Sequence, residues 1–288
     1  MKRFLCICLS PAIDATVRLD AWPTDGCVIK NAADILLPGG KAVNVARYLA
    51  LNGESVACGG LVGEDNAALF EKELAKFGVE DRFVRVPGST RVNEMFVTPT
   101  GSFKVNRAAF PGLAADELLD QIARFDGFDS VILSGSLPKD WPVDVYRTLV
   151  AAAKTAGARV VLDTSGKSLT EGVKARPDVI KPNAEECLDL IGFQPKMPED
   201  FGRATAALKA FCDFPIISDG AGGCWFDGEF VPAPRVEVLD TTAAGDTLLA
   251  EWCRSGDPKR AVAAGSAACT MPGGEPPPAE LIERLIDR

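Results

Sequence analysis

Short apolar runs bounded by turn residues alternate along this chain with segments of helical period. The runs are Phe4–Leu9, Val56–Gly60, Ser130–Leu133, Arg159–Asp163, Val179–Lys181 and Ile216–Ser218. The helical segments are Ala42–Leu51, Ala67–Phe77, Val143–Ala156, Ala184–Ile191 and Arg203–Phe211. Apolar strands alternating with helices predict an α/β fold, a mainly parallel sheet covered on both faces. Ligands of such sheets bind beyond the carboxyl ends of the strands. Those ends are Ser134-Gly135-Ser136, Asp163-Thr164-Ser165-Gly166, Lys181-Pro182-Asn183 and Asp219-Gly220.

Two stretches break the rhythm. Ala15–Leu37 and Thr90–Phe110 lack helical period and read as extended, the second with a turn at Thr98-Pro99-Thr100-Gly101. They predict either a small separate sheet laid over the cleft as a lid, or an extension of the main sheet. The 288 residues are read as one domain, 1–288, with lid segments at roughly 15–37 and 90–110. Met271–Pro278 is a connector to a last amphipathic helix.

Histidine is absent, which excludes imidazole metal ligands, Ser-His and Cys-His dyads and histidine acid–base work. Proton transfer must fall to carboxylates, Lys, Tyr or Cys. Nine cysteines without a C-x-x-C pair suit reduced thiols in a cytoplasm rather than a disulfide frame. Cys6 and Cys8, two apart, face the same way on a strand and read as core. The net charge of −9 argues against nucleic acid or an anionic membrane as partner. No apolar run reaches the roughly 18–20 residues that cross a bilayer. The start has Lys2 and Arg3 before an apolar run, as a signal peptide would, but Pro11 and Asp14 end it early. A buried first strand in a cytoplasmic protein is the reading.

Near the C-terminus, Asp240-Thr241-Thr242-Ala243-Ala244-Gly245-Asp246 runs into the apolar stretch Thr247–Ala250. A turn of small residues entering a helix leaves backbone N–H groups aimed at one spot that favours negative charge. A carboxylate there suits proton removal beside a transferring phosphoryl group. Alone the segment is equally a capped helix start. A second glycine-rich turn, Pro38-Gly39-Gly40-Lys41, leads into a helix with Asn44.

These segments carry a resemblance. Pro38–Arg47, Leu133–Pro138, Asp163–Lys167, Ile180–Glu186 and Asp240–Asp246, in this order and spacing, resemble the phosphofructokinase-B family of ribokinase-like sugar kinases nearly end to end. The details of Pro38–Arg47 and Ile180–Asn183 look most like its sugar-phosphate branch. The resemblance implies a three-layer α/β/α sandwich with a β-sheet lid. It also implies a phosphotransferase with an alcohol acceptor, dependent on ATP and Mg²⁺. Fructose 1-phosphate and tagatose 6-phosphate are the leading acceptors, with fructose 6-phosphate a third.

Residue by residue, the resemblance makes Asp246 the base and the backbone of Ala243, Ala244, Gly245 and Asp246 the anion hole. Asp14 and Asn44 would position the sugar hydroxyls, while Gly39 and Gly40 admit the sugar close to the backbone. Arg91, Lys30 and Lys41 would hold the acceptor's own phosphate, a task suited to a guanidinium fork. Lys181, Asn183, Ser218, Gly220 and Gly223 would line the nucleotide site. Asn183 and Glu186 would organise Mg²⁺, largely through water.

Two departures stand out. Ala243 takes the place of a usual glycine, adding a Cβ that penalises positive φ. Glu251 also stands where glycine is usual, and Trp252–Ala263 looks about eight residues short beside the expected nucleotide pocket. A kinase of a free sugar or nucleoside is the alternative, and a binding protein without turnover a third reading. Unpaired lid edges make a homodimer through the lid the expected assembly.

Overall fold

The computed structural model describes residues 1–29, 33–110 and 112–286. In chain order the first strands are β1 (Arg3–Cys8), β2 (Ala12–Arg18), β3 (Ala33–Gly39), β4 (Ser55–Gly63), β5 (Glu80–Val86), β6 (Val92–Thr98) and β7 (Gly101–Val105). They continue with β8 (Ser130–Ser134), β9 (Arg159–Asp163), β10 (Val179–Ile180), β11 (Phe214–Ser218), β12 (Gly223–Phe226) and β13 (Glu229–Pro232). The helices are α1 (Lys41–Leu51), α2 (Ala67–Phe77), α3 (Asp116–Ile122), α4 (Val145–Thr155) and α5 (Gly166–Gly172). Then come α6 (Glu186–Ile191), α7 (Pro198–Leu208), α8 (Ala244–Ser255), α9 (Pro258–Ala268) and α10 (Ala279–Ile286).

Strand β1 shows how the core forms. Phe4, Cys6 and Cys8 enter one hydrophobic cluster with α1, α8 and α9, while Leu5, Ile7 and Leu9 enter another with α4 and α7. Side chains alternate across a strand, so a strand apolar on both faces must lie inside a doubly covered sheet. The nine-stranded sheet runs β13-β12-β11-β10-β9-β8-β1-β4-β5 among the described residues. Its pairs from β11 to β5 are parallel, and β12 and β13 are added antiparallel at the edge. The order reverses between β8 and β1, so the crevice outside the ends of these strands is where a ligand is favoured.

The extended stretches form a separate four-stranded sheet, β3-β2-β6-β7, as the lid reading expected. Strand β2 pairs antiparallel with β3 and parallel with β6. This sheet begins at Ala12, so Asp14 lies on the lid sheet itself.

Several boundaries differ from the sequence reading. Helix α7 starts at Pro198 rather than Arg203, because Pro198 opens it and Asp200 Oδ2 accepts the Met197 N–H at 3.1 Å. Helix α6 starts at Glu186 rather than Ala184. Strand β5, Glu-Asp-Arg-Phe-Val-Arg-Val, carries too many charges to read as a buried run, as suits a sheet edge. No helix of the described residues is long and apolar enough to cross a membrane.

Candidate active site

The site is built around the first turn of α8. Ala243, its N-cap, has φ 63° and ψ 3°, the left-handed conformation that suits the glycine it replaces. The Ala244 N–H is taken by Thr241 O at 3.3 Å, so the expected ring of four donors is one short. The amides of Ala243, Gly245 and Asp246 have no protein partner among the described residues. Three unpaired N–H groups at a helix N-terminus form an anion site.

Asp246 is buried beside them. Burial raises its carboxyl to about 6, against the opposing pull of Lys41. Asn44 Nδ2 donates to its Oδ2 at 2.8 Å. A carboxylate with this value is ionised at neutral pH yet basic enough to accept a hydroxyl proton.

Asp163, at the end of β9, organises the cations around it. Lys41 Nζ lies 3.2 Å and Lys181 Nζ 3.4 Å from its Oδ1. Burial opposes its charge, but Lys181 and Lys41 outweigh burial and hold the carboxyl below its ordinary range. Lys41 in turn is raised, chiefly by Asp163. Lys181 Nζ lies 3.5 Å from where a Cβ on Gly245 would stand, so both ammonium groups flank the α8 turn.

The acceptor-side residues meet near the lid. Asp14 Oδ1 accepts from Asn93 at 3.1 Å, and burial raises its carboxyl. A Cβ on Gly39 would overlap Asp14 Oδ2, and Gly40 has φ +122° with Cys8 Sγ 2.7 Å from its would-be Cβ. Only glycine suits either position. Across the cleft, Lys104 Nζ of β7 donates to Thr242 Oγ1 at 3.2 Å, joining the lid to the α8 turn.

Of the three cations expected to bind phosphate, Lys41 and Arg91 fall among the described residues. Lys30 lies outside the described residues. Lys41 is committed to Asp163, while Arg91 donates to the carbonyls of Ser10 at 3.0 Å, Pro11 at 3.2 Å and Arg107 at 2.7 Å. Arg91 thus ties the β1–β2 turn to the stretch after β7 and keeps only its remaining N–H groups for a ligand.

A cavity of about 880 Å³ opens on the far side of the α8 turn. Asn183, Ser218, Gly220 and Gly223 form one wall, with Ala244, Gly245 and Leu248 opposite. Val262, Gly265, Ser266 and Cys269 of the α9 segment complete it. The Gly220–Gly222 turn is also the hairpin between β11 and β12.

Asn183 and Glu186 bond reciprocally: Glu186 Oε2 accepts the Asn183 N–H at 2.9 Å, and Asn183 Oδ1 the Glu186 N–H at 2.7 Å. This is a helix-capping arrangement. It leaves Glu186 Oε1 as the carboxylate oxygen without a partner among the described residues. No group of three or more Asp, Glu or Cys is arranged to hold a metal among the described residues. A single carboxylate fits Mg²⁺, which keeps its waters and takes further oxygens from substrate phosphates.

Of the segment Trp252–Ala263, expected to border the nucleotide pocket, Val262 lines the cavity. Helices α8 and α9 are joined by Gly256-Asp257 alone, and Glu251 fastens that corner. Its carboxylate accepts from Tyr48 Oη at 2.7 Å and Arg254 at 2.8 and 2.9 Å, and lies 2.9 Å from Arg260 Nε. Asp163, Asn93 and Lys104 were given no role from the sequence. Asp163 alone carried a signal, as an acid ending a buried strand.

A model of the pfkB family carbohydrate kinases matches residues 9–271. The chain belongs to the pfkB family of carbohydrate kinases. It is accordingly a phosphotransferase with an alcohol acceptor. It is 38% identical over 260 residues to 1-phosphofructokinase of Rhodobacter capsulatus, covering 86% of this chain and 82% of that one. To 1-phosphofructokinase of Haemophilus influenzae it is 36% identical over 225 residues, covering 75% and 72%. The fold is shared with phosphofructokinase-2 of Escherichia coli in complex with substrates and products: TM-score 0.89, 22% identity, covering 100% of this chain and 99% of that one.

Proposed function

We propose that the protein transfers the γ-phosphoryl group of ATP to a hydroxyl of fructose 1-phosphate, with Asp246 as general base. Kinase action on a hexose phosphate follows from the family and from the two bacterial relatives that bear the name 1-phosphofructokinase. The observation that carries the base assignment is the position of the buried Asp246 carboxylate, raised by burial and beside three unpaired amides.

In this reading Asp14 and Asn44 orient the acceptor hydroxyl, and Asp246 Oδ takes its proton as the oxygen attacks. The amides of Ala243, Gly245 and Asp246 face the charge that develops on the phosphoryl oxygens, where one well-aimed donor is worth about 3–4 kcal/mol. Lys41 and Lys181 add positive charge to the same point. Asn183 and Glu186 would hold Mg²⁺, which would supply positive charge to the phosphates. ATP occupies the cavity between the Gly220 turn and α9. The lid sheet, linked to the α8 turn through Lys104, excludes water from the acceptor.

The experiment is ADP release with Mg²⁺-ATP against fructose 1-phosphate, fructose 6-phosphate, tagatose 6-phosphate, free fructose and ribose, with Asp246→Asn as the blank. Turnover on fructose 1-phosphate that disappears in the variant supports the reading. Turnover confined to free sugars, or surviving in the variant, overturns it. The use of Arg91 donors on backbone carbonyls favours a second reading, an acceptor without phosphate.

A further inference from the structure

Four side chains from three helices form one buried hydrogen-bonded line that ends on Asp246. Arg47 Nη1 of α1 donates to Glu73 Oε1 of α2 at 2.9 Å. Arg47 Nη2 donates to Asn44 Oδ1 at 2.7 Å, and Asn44 Nδ2 to Asp246 Oδ2 at 2.8 Å. Glu73 and Asn44 are 8% exposed, Asp246 7% and Arg47 1%.

The chemistry of the groups fixes the direction of this line. A side-chain amide presents an acceptor on one side and donors on the other. Guanidinium has donors only, so Asn44 must turn Oδ1 toward Arg47. Its NH₂ then faces Asp246, which accepts most strongly when ionised. A flipped amide would set oxygen against carboxylate and nitrogen against guanidinium. Without Arg47, nothing on that side of Asn44 selects between the two.

Arg47 is a costly way to fill the core. A buried cation needs a partner, which Glu73 supplies, yet apolar residues of similar volume commonly replace such pairs without loss of stability. Its Nε finds no hydrogen-bond partner among the described residues. Nη2 makes a second contact, to Gly274 O at 3.1 Å. That glycine packs on the strained N-cap, since a Cβ added to it would stand 3.3 Å from Ala243 Cβ.

We propose that Arg47, neutralised by Glu73, is a positioning residue for phosphoryl transfer: it sets the Asn44 amide and through it holds Asp246. The inference rests on the reading of Asp246 as base. Other groups also face Asp246: Lys41 from α1, Asp163 from the end of β9, Lys181 beyond β10, and Cys8 from β1. Loss of the Asn44 donor therefore shifts its titration without abolishing it.

Arg47→Ala alone would strand Glu73 in the core, so the paired variant Arg47→Met/Glu73→Leu is the test, with folding checked by circular dichroism. Its kcat on fructose 1-phosphate is expected to fall about 10–100-fold, the range for a hydrogen bond to a charged group, with KM nearly unchanged. In an Asn44→Ala background the same pair of substitutions should cost little more, because Arg47 acts through Asn44. A second measurement needs no turnover. The Asn44 side-chain amide resonances, identified by their loss in Asn44→Ala, should follow Asp246 ionisation in the parent protein. Their midpoint should move up by about one pH unit in the paired variant, since a donor to the charged form has been lost. Amide resonances that ignore Asp246 in the parent protein would overturn the proposal. So would unchanged kcat and midpoint in the paired variant, or effects additive with Asn44→Ala. A parent protein without turnover sinks the kinase reading alone, and the amide titration then decides this one.

Discussion

Asp163 holds the ammonium group of Lys181 at 3.4 Å with both side chains nearly closed to solvent, 1% and 7% exposed. Lys41 reaches the same carboxylate from α1. Two cations thus share one acid at the point where the phosphoryl group is proposed to pass. Incoming phosphate oxygens would complete their charge balance.

Asp163→Leu should destabilise the protein by about 3–5 kcal/mol near neutral pH, because it leaves Lys181 buried without a counter-charge. Urea denaturation measures this. The folded carboxyl lies below its ordinary value, so its stabilisation is present above the unfolded pKa and is lost as pH falls through the folded one. The gap between parent and variant should therefore narrow in acid. A gap constant with pH would overturn the charge argument.

Asp246→Asn should lower kcat by about 10²–10⁴, the usual contribution of a general base. It should also raise stability. The folded carboxyl, raised by burial to about 6, binds a proton that the unfolded chain releases near pH 4, so this group's stabilisation is present at low pH and lost as pH rises through 6. Asparagine does not titrate, so the variant should exceed the parent by about 2–3 kcal/mol at pH 8 and match it near pH 4. Parent activity should fall below about pH 6 as Asp246 takes up its proton. A variant less stable than the parent at pH 8 would contradict this.

Ala243→Gly should stabilise the fold, since alanine in the left-handed region costs about 1–2 kcal/mol and glycine gives back part of that in chain entropy. A net gain of about 1 kcal/mol corresponds to a Tm rise of roughly 2–4 °C, measurable by calorimetry. A lower Tm would mean that the contact of Ala243 with the Gly274 turn outweighs its backbone strain.

Arg91→Ala separates two acceptor classes. If its free N–H groups hold a phosphate, KM for the sugar phosphate should rise more than about tenfold with a smaller change in kcat. If its three carbonyl bonds are its whole role, thermal stability should fall while KM holds. Initial-rate kinetics and a melting curve on one preparation distinguish the two.

The lid carries an exposed aromatic stack. Trp22 and Phe103, 44% and 41% exposed, have centroids 5.5 Å apart, and Phe103 lies 4.8 Å from Phe96. Pairing of two lids through this face would make Phe103→Glu dissociate a homodimer. Sedimentation velocity would show it, and a monomeric parent would end the idea.

Legibility from the sequence followed physical cause. Phe4–Leu9 and Arg159–Asp163 read plainly, since burial on both faces demands unbroken apolar runs. Strand β5 did not, because an edge strand tolerates the charges of Glu80, Asp81, Arg82 and Arg85. The shift of α7 to Pro198 lay in a cap that periodicity does not register. In the site, Asp246, Asn44, Asp14 and the two glycines before Lys41 were visible through local turn chemistry and resemblance. The pairing of Lys41 with Asp163 was not legible, because a helix start fixes a side chain's direction only once the facing strand is known. Arg47 was visible only as the end of the Pro38–Arg47 segment and Glu73 not at all, since each looks like a solvated helix charge until α1 and α2 are packed together.

The hydrogen bond between Asn44 and Asp246 spans 202 positions of chain. During synthesis, α1 is made long before α8, and Asp246, the proposed base, has no Asn44 donor until α8 docks against α1. A nascent or truncated chain can present a nucleotide cavity wall or a sugar-side glycine turn, but not both sides of the reaction. Chain order thus acts as a safeguard: the proposed phosphoryl-transfer site comes into being only once the two ends of the chain have met.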